Sequence, residues 1–486
     1  MLIIALLGCT RPDTPAAPEP EAASPLQAPW IASGDVTTTS AIIWARAMEG
    51  DRLSVRAGEQ TVGPVKTGPM GTGKLKLTGL PAGSEIRYTV SACDANGACG
   101  EASGSLQTAP EAPAPLRLII GGDLGGQGHC RAVDGGYRIF DALAALEPHL
   151  FIANGDMIYA DGRCTDTSPA GVPTVPATFH AITDPVVDWS AAADTLDAHW
   201  AYNHADPGLR RFLSKTPMIS QWDDHEVVND FGASWPAWLT GDESRPGFMQ
   251  LVEQGRAAFL RWSPVDGARI ERRFAWGPEV DLFIVDARSH RSNNRAPDGP
   301  EKTLLGVEQK QRLIAGLTTS QAIWKVVSID VPISTPTGSR AWEAGRDGWA
   351  NGIGADAPEG MADTSTTTGF EHELTEILTA LDVAGVTGLV FVTTDVHHVR
   401  SLRYSVDLDD NGAPLVFHEF ISGPLSAWTG DPPPLDPTFG PEVLYESSHT
   451  FNAALLSIIP GEGLTASIID ADGVTTEPSV VRVPTP

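Results

Sequence analysis

The stretch that decides the fold is FIANGDMIYADG, residues 151–162. Its first three residues are apolar and predict a buried strand that ends at Asn154-Gly155. A strand that ends in Gly-Asp places the carboxylate of Asp156 at the carboxyl edge of a sheet, where α/β proteins bind ligands. If the next turn is helical, Tyr159 lies on the same face as Asp156. A simpler interpretation, an Asx turn followed by a packed tyrosine, stays open on this stretch alone.

A second strand end of the same kind precedes this stretch. Residues 116–120 (LRLII) are mostly apolar, and Asp123 follows them after two glycines. An amphipathic segment, residues 137–146, separates the two strands and predicts a βαβ unit with both strands parallel. We therefore expect two carboxylates at adjacent strand ends, where they can share a cation.

Two later stretches also put ionisable side chains directly after apolar strands. The sequence WDDHE contains Asp224 and His225 and follows a short strand. Burying such a run costs free energy unless its groups are exposed or paired with a metal. In TTDVHH, after the strand 388–392, Asp395 and His397 alternate and can point to the same side. A carboxylate and an imidazole together suit a hard or borderline cation.

A further charged strand end, DARSHR at residues 286–291, offers Arg288. Arginine matches the geometry of a phosphate group, so Arg288 is a candidate for binding a substrate oxyanion. A structural ion pair with Asp286 is the competing interpretation. The sequence does not decide between the two.

The N-terminal part of the chain divides into three segments. Residues 1–9 end in LLGC and resemble a bacterial lipoprotein signal, with Cys9 as the lipidated residue. Residues 10–28 are rich in proline, alanine and glutamate and predict a disordered tether. Residues 29–108 alternate in polarity over short runs and resemble a fibronectin type III β-sandwich. Residues 116–486, in contrast, predict one α/β domain.

Composition limits the partners. The chain has 33 Lys+Arg against 61 Asp+Glu, a formal charge of -28, which repels nucleic acid and anionic lipid. We therefore expect no nucleic acid to bind through bulk charge, and membrane attachment only through a lipid anchor. A small anionic substrate is compatible with this charge where metal ions supply local positive charge.

Cys93 with Cys99, and Cys130 with Cys164, are candidate disulfides that support export, with free thiols as the alternative.

Taken in chain order, four motifs resemble the binuclear metallophosphoesterase superfamily, and within it the PhoD-type alkaline phosphatase family. The motifs are the strand-end Asp123, Gly-Asp-x-x-Tyr, Trp-Asp-Asp-His-Glu and Thr-x-Asp-Val-His. The resemblance implies a four-layer αββα sandwich behind the small all-β domain. It also implies an exported enzyme that hydrolyses phosphate mono- and diesters by attack of a metal-activated hydroxide. The implied metals are a ferric ion and calcium.

The resemblance also assigns roles to individual residues. His225 would face the substrate phosphate, and Asp224 would serve both catalysis and metal binding. Asp156 would bridge the two metals, and Tyr159 would bind the ferric ion as a phenolate. The full implied set of metal ligands is Asp123, Asp156, Tyr159, Asp224, Asp395 and His397.

One residue departs from the family pattern. Members of the PhoD-type family commonly carry cysteine where this chain has Asp123, so the identity of the metals is open.

Two alternative functions remain open on the sequence. A purple-acid-phosphatase-like enzyme shares Gly-Asp-x-x-Tyr but expects Gly-Asn-His-Glu and Gly-His-x-His in place of the motifs around Asp224 and His397. A non-catalytic surface binding protein is the other alternative.

Overall fold

A computed structural model describes residues 26–232, 246–338, 344–352, 367–475 and 477–486. The lipoprotein-like segment 1–9 and most of the tether 10–28 lie outside the described residues. The division at 108–116 into an N-terminal and an α/β domain stays a prediction.

The described residues form six helices and twenty strands. The helices are α1 (Ile139–Ala145), α2 (Ala193–His204), α3 (Pro207–Leu213), α4 (Phe248–Trp262), α5 (Val307–Thr319) and α6 (Glu371–Val383). The strands are β1 (Trp30–Gly34), β2 (Ser40–Arg46), β3 (Arg52–Ala57), β4 (Gln60–Lys66), β5 (Thr72–Thr78), β6 (Glu85–Cys93), β7 (Cys99–Gln107), β8 (Leu116–Gly121), β9 (Leu150–Asn154), β10 (Met218–Gln221), β11 (Arg272–Trp276), β12 (Val280–Ile284), β13 (Trp324–Ser328), β14 (Leu389–Thr393), β15 (Val399–Val406), β16 (Leu415–Ile421), β17 (Glu442–Ser447), β18 (Asn452–Ile459), β19 (Gly463–Asp470) and β20 (Val481–Val483).

Two large sheets dominate the fold. One has nine strands in the order β20-β19-β18-β8-β9-β10-β1-β2-β5, and the other has seven in the order β11-β12-β13-β14-β16-β15-β17. Strands β8, β9 and β10 run parallel, with Phe151 between Ile119 and Met218. Every residue of β9 is buried, as expected for a parallel strand covered on both faces. The predicted βαβ unit is therefore confirmed, with the helix slightly shorter than the segment 137–146.

The two sheets pack face to face, and helices cover their outer faces. Ile120 and Ile152 of the first sheet share one core with Val390 and Phe420 of the second. A second core joins the nine-stranded sheet to α1, α2, α3 and α4, and a third joins the seven-stranded sheet to α5 and α6. The observed layers are thus helix, sheet, sheet, helix, and the predicted mixed α/β fold is confirmed.

The N-terminal strands are physically continuous with the larger sheet. Strands β1, β2 and β5 extend it through the parallel pairing of Gly34 with Met218, whereas β4-β3-β6-β7 form a separate four-stranded sheet. The two groups share a core of their own that includes Leu53 and Leu77. The indole N–H of Trp44 also donates to the carbonyl of Arg261 in α4 at 2.8 Å. The front strands are therefore fixed against the rest of the molecule.

Both predicted disulfides are confirmed, because Cys93 is bridged to Cys99 and Cys130 to Cys164. The second bridge joins the loop after β8 to the loop after β9. Within the described ranges, none of the helices combines the length and apolar composition needed to cross a membrane.

Candidate metal centre

Four strand ends meet at one edge of the two packed sheets. Strands β8, β9 and β10 of the larger sheet lead to Asp123, Asp156 and Asp224, and β14 of the smaller sheet leads to Asp395 and His397. Because parallel strands end at the same edge, side chains from distant parts of the sequence are brought to one place. The sequence predicted these side chains at the carboxyl edge of the sheet, and they lie at that edge.

The backbone at these strand ends is unusual. Asp123, Asp156, Asp395 and His397 have φ angles of 60°, 51°, 70° and 58°. This left-handed region disfavours side chains other than glycine, although aspartate and histidine tolerate it better than most residues. Such conformations concentrate at functional sites, where they turn a side chain sharply out of a strand. The left-handed turns aim these four residues away from the sheets.

Asp123, Tyr159 and His397 form the first group of the site. The phenol oxygen of Tyr159 lies 2.9 Å from Nε2 of His397, and Nε2 is 3.4 Å from Oδ1 of Asp123. Asp123 is fully buried, and neither of its carboxylate oxygens has a hydrogen-bond partner. A Cβ at Gly423 would lie 2.6 Å from Oδ2, so glycine there leaves room for the carboxylate. Nδ1 of His397 contacts the carbonyl of Trp428 at 2.6 Å, which directs Nε2 into the group.

Asp156, Asp224 and His225 form the second group. Nε2 of His225 lies 4.0 Å from Oδ2 of Asp156 and 4.0 Å from Oδ1 of Asp224. The three side chains can offer ligand atoms within 4.8 Å of one another. The N–H of His225 also donates to Oδ1 of Asp156 at 3.0 Å. Oδ2 of Asp224 accepts the N–H of Asp230, but its Oδ1 is buried without a partner.

The electrostatics of the site favour a cation. Burial raises the pKa of the Asp156 carboxyl well above its usual value; His225 opposes this rise, and Asp224, Glu226 and Asp123 add to it. Burial likewise raises the pKa of the Tyr159 phenol, and the neighbouring carboxylates raise it further. Burial and Asp224 raise the pKa of Asp395 as well. Carboxylates this close repel one another, so some of them must hold a proton unless a cation lies between them.

The ring of His225 is oriented by Asp161 and Tyr159. Its Nδ1 lies 2.6 Å from Oδ1 of Asp161, and its ring packs against that of Tyr159 with centroids 4.0 Å apart. Burial alone would lower the pKa of the imidazole, but Asp161, Asp156 and Asp224 outweigh burial and raise it well above its usual value. With Nδ1 bound to Asp161, the Nε2 atom faces the cleft.

Arg288 does not lie where the oxyanion interpretation requires it. Its guanidinium is fully buried, and it bonds to the carboxylates of Asp223, Asp330 and Asp347. A substrate phosphate would have to displace these three partners, so the structure corrects that prediction in favour of a structural ion-pair role. The partner also differs from the predicted Asp286, which accepts the backbone N–H of Arg288 instead.

Sequence reasoning assigned no definite role to the groups that support the proposed ligands. Glu226 accepts N–H groups from Asp156 at 3.1 Å, Met157 at 2.8 Å and Asp223 at 2.8 Å, so it fixes the backbone of two strand ends. Its position in the polar run after β10 was the available indication. Asp161, which orients His225, was visible as a third ionisable side chain in the opening stretch.

These residues line a cleft with a volume of about 380 Å³. Asp156, Asp224, His225, Asp395 and His397 reach its surface. Tyr159 and Asp123 lie behind them. The donor set of carboxylates, one phenol and imidazole fits hard and borderline cations, and the unpartnered buried oxygens of Asp123 and Asp224 are the atoms that such ions would satisfy.

Comparison with known proteins agrees with this geometry. The family model described as PhoD-like phosphatase matches residues 124–454, more than half of the chain. The chain belongs to the PhoD-like phosphatase family. It is also similar to alkaline phosphatase D of Bacillus subtilis (strain 168), with 22% identity over 311 residues. That match covers 60% of this chain and 48% of the relative, so the chain spans about half the length of the relative.

Two solved structures share the fold. A structure of PhoD superposes with a TM-score of 0.71 at 16% identity and covers 96% of this chain and 94% of its own. A purple acid phosphatase from yellow lupin (Lupinus luteus) seeds gives a TM-score of 0.60 at 11% identity, covering 94% of this chain and 74% of its own. At these identities the likeness concerns the fold alone. The family resemblance predicted from the four motifs is confirmed.

Proposed function

We propose that this PhoD-like chain is an exported, metal-dependent phosphatase and phosphodiesterase that hydrolyses phosphate esters in the cleft at the strand ends. One observation carries the proposal. Four of the six proposed ligands line one cleft with the buried His225, and the other two, Asp123 and Tyr159, contact His397 of that cleft. Buried oxygens of Asp123 and Asp224 have no hydrogen-bond partner in the described residues.

The residues divide into ligands and a proton donor. Asp123, Tyr159 and His397 would hold one ion, Asp224 and Asp395 would hold the other, and Asp156 would contribute to both. Ions at these positions would lower the pKa of a bound water and polarise the phosphoryl oxygens. A ferric ion with calcium is our assignment of the pair. The phenol of Tyr159 suits iron, and the aspartate at position 123 hardens the site relative to a thiolate.

His225 supplies the second chemical function. The carboxylates around it favour the imidazolium form, and Asp161 holds the ring by Nδ1. The free Nε2–H faces the cleft, where it would stabilise charge on the phosphate or protonate the departing oxygen. Asn229 lines the same cleft, and its N–H is fixed to Asp161 at 3.0 Å.

The remaining features of the proposal concern the cell. The two disulfides suit an oxidising compartment outside the cytosol. Lipidation at Cys9, followed by the tether 10–28, would hold the enzyme at a membrane surface, and cleavage without lipidation would release it. The seven N-terminal strands would act as a fibronectin type III-like spacer, because no group proposed for the chemistry lies on them.

Metal analysis combined with hydrolysis of 4-nitrophenyl phosphate and bis(4-nitrophenyl) phosphate tests the function. The purified protein should contain metal and cleave at least one ester, and Asp156→Asn should reduce both metal content and turnover. A visible charge-transfer band that disappears in Tyr159→Phe would support a ferric phenolate. Wild-type protein that contains metal but cleaves neither ester would favour the non-catalytic binding protein instead. Activity that survives without metal in Asp156→Asn would refute the proposal.

A further inference from the structure

Trp428 is the aromatic side chain that stands exposed at the rim of the cleft among the described residues. Trp428 is 57% exposed, whereas the other large exposed hydrophobic residues of the described ranges are valine, leucine, isoleucine or methionine. Most tryptophans of this protein are buried in its cores. An exposed indole face beside a binding cleft costs solvation free energy and is typical of a site that a ligand covers.

The position of Trp428 is fixed from three sides. Its carbonyl contacts Nδ1 of His397 at 2.6 Å, and its N–H donates to Oε1 of Gln127 at 3.2 Å. The indole lies against Gly430, where a Cβ would come within 2.2 Å of the ring. The glycine therefore lets the ring lie flat at the rim, and the backbone bonds hold it there before any ligand arrives.

Trp428 also lies beside a residue of the candidate metal centre. Its centroid lies 6.3 Å from that of His397, a proposed metal ligand, and both side chains line the same cleft of about 380 Å³. A phosphate held at the centre would place the group attached to it beside the indole. The cleft volume suits a small molecule, since pockets for such ligands span roughly 300–1,000 Å³.

We propose that Trp428 is a stacking platform for a planar heteroaromatic ring within the leaving alcohol, such as the base of a nucleoside esterified to a single phosphate group. This inference rests on the proposed function and names its substrate class. Gln127 and Asp431 line the cleft together with Trp428, and these polar side chains do not suit a lipid chain. The chain's charge of -28 disfavours a polyanion, so a ligand with one phosphate group fits best.

Two phosphate esters that both leave through a ribose 5-hydroxyl test the inference. Adenosine 5′-phosphate and methyl β-ribofuranoside 5-phosphate differ in the base, so the ratio of their kcat/KM values isolates the contribution of the planar group. Stacking of one base on an aromatic residue predicts that Trp428→Leu lowers this ratio by about 5- to 150-fold. Trp428→Phe keeps an aromatic face and should recover most of the ratio.

The outcomes are separable from failure of the proposed function. A ratio that does not change in Trp428→Leu overturns the inference while phosphatase activity stands, and so does an equal fall in the leucine and phenylalanine variants. A loss of kcat/KM that is the same for both substrates assigns Trp428 to support of His397 and also overturns it. If metal-loaded wild type cleaves neither substrate, the proposed function fails and this inference falls with it.

Discussion

Replacing Asp161 by asparagine tests whether His225 is a proton donor held by a carboxylate. Asp161 accepts Nδ1–H of His225 at 2.6 Å through one oxygen and the N–H of Asn229 at 3.0 Å through the other. Asparagine has nearly the same shape, but it carries no charge and has only one accepting oxygen. The substitution therefore removes the partner that favours the imidazolium without opening a cavity.

The expected size of the effect follows from the bond that is lost. A hydrogen bond to a charged group contributes about 1.5–3 kcal/mol, which corresponds to about 10- to 150-fold in rate. The loss should appear in kcat for phenyl phosphate, whose leaving oxygen needs a proton. It should be clearly smaller for 4-nitrophenyl phosphate, whose leaving phenolate is stable without one.

The assay is steady-state hydrolysis of both esters by wild type and Asp161→Asn, with metal content measured on the same samples. Asp184→Asn is a matched control, because Asp184 pairs with Nδ1 of His180 at 3.1 Å outside the cleft. We expect that control to keep wild-type kcat for both esters. An equal loss for both esters with unchanged metal content would refute the proton-donor role of His225, and so would no loss at all.

Three further predictions concern stability and the loops around the site. Arg288→Met leaves buried carboxylates unpaired and should lower the free energy of unfolding by about 3–5 kcal/mol, measured by urea titration. Arg138→Met breaks an exposed ion pair and should lower the free energy of unfolding by less than about 1 kcal/mol in the same titration. Burial raises the pKa of Glu419 from 4.5 to about 7, so the stability that this group contributes at low pH is lost as pH rises through 7. Glu419→Gln should therefore gain up to about 3 kcal/mol relative to wild type between pH 5 and 8, measured by urea unfolding at each pH (2.5 pKa units at about 1.36 kcal/mol each). Replacing Cys130 and Cys164 by serine opens a loop of sequence separation 34 and should cost about 3–4 kcal/mol in stability and reduce turnover, measured by thermal unfolding and ester hydrolysis.

The sequence predicts much of the candidate site because the proposed ligands follow apolar strands. The apolar runs that precede Asp156 and Asp123 could be recognised as strands that end at these residues. The same reasoning applied to Asp224, Asp395 and His397. Parallel strands end at a common edge, so neighbours in space could be expected from residues far apart in the chain. Four of the expected ligands line one cleft for this reason, and Asp123 and Tyr159 lie against His397 of that cleft.

The supporting contacts could not be predicted in the same way. Arg288 follows a strand end like the ligands, and only the three-dimensional positions of Asp330 and Asp347 show that its guanidinium is already occupied. Trp428 lies in a loop without periodicity, and its exposure depends on Gly430 and Gln127. Local sequence carries no information on which distant side chain fills a given space, so such roles need the structure.

The site concentrates several unfavourable terms at one place in an otherwise well-packed fold. Four residues there have left-handed backbone, each costing about 1 kcal/mol or more, and the carboxylates of Asp123, Asp156 and Asp224 are buried close together. Asp123 and Asp224 follow strands of one sheet and Asp395 follows a strand of the other, so repulsion among these acids acts against the packing of the two sheets. A bound cation would reverse the sign of that interaction and tie the strand ends of both sheets together. The same positive charge would let a phosphate dianion enter the cleft of a protein of charge -28, so the acids that oppose the packing of the sheets are also those that would hold the cations required by the proposed substrate binding.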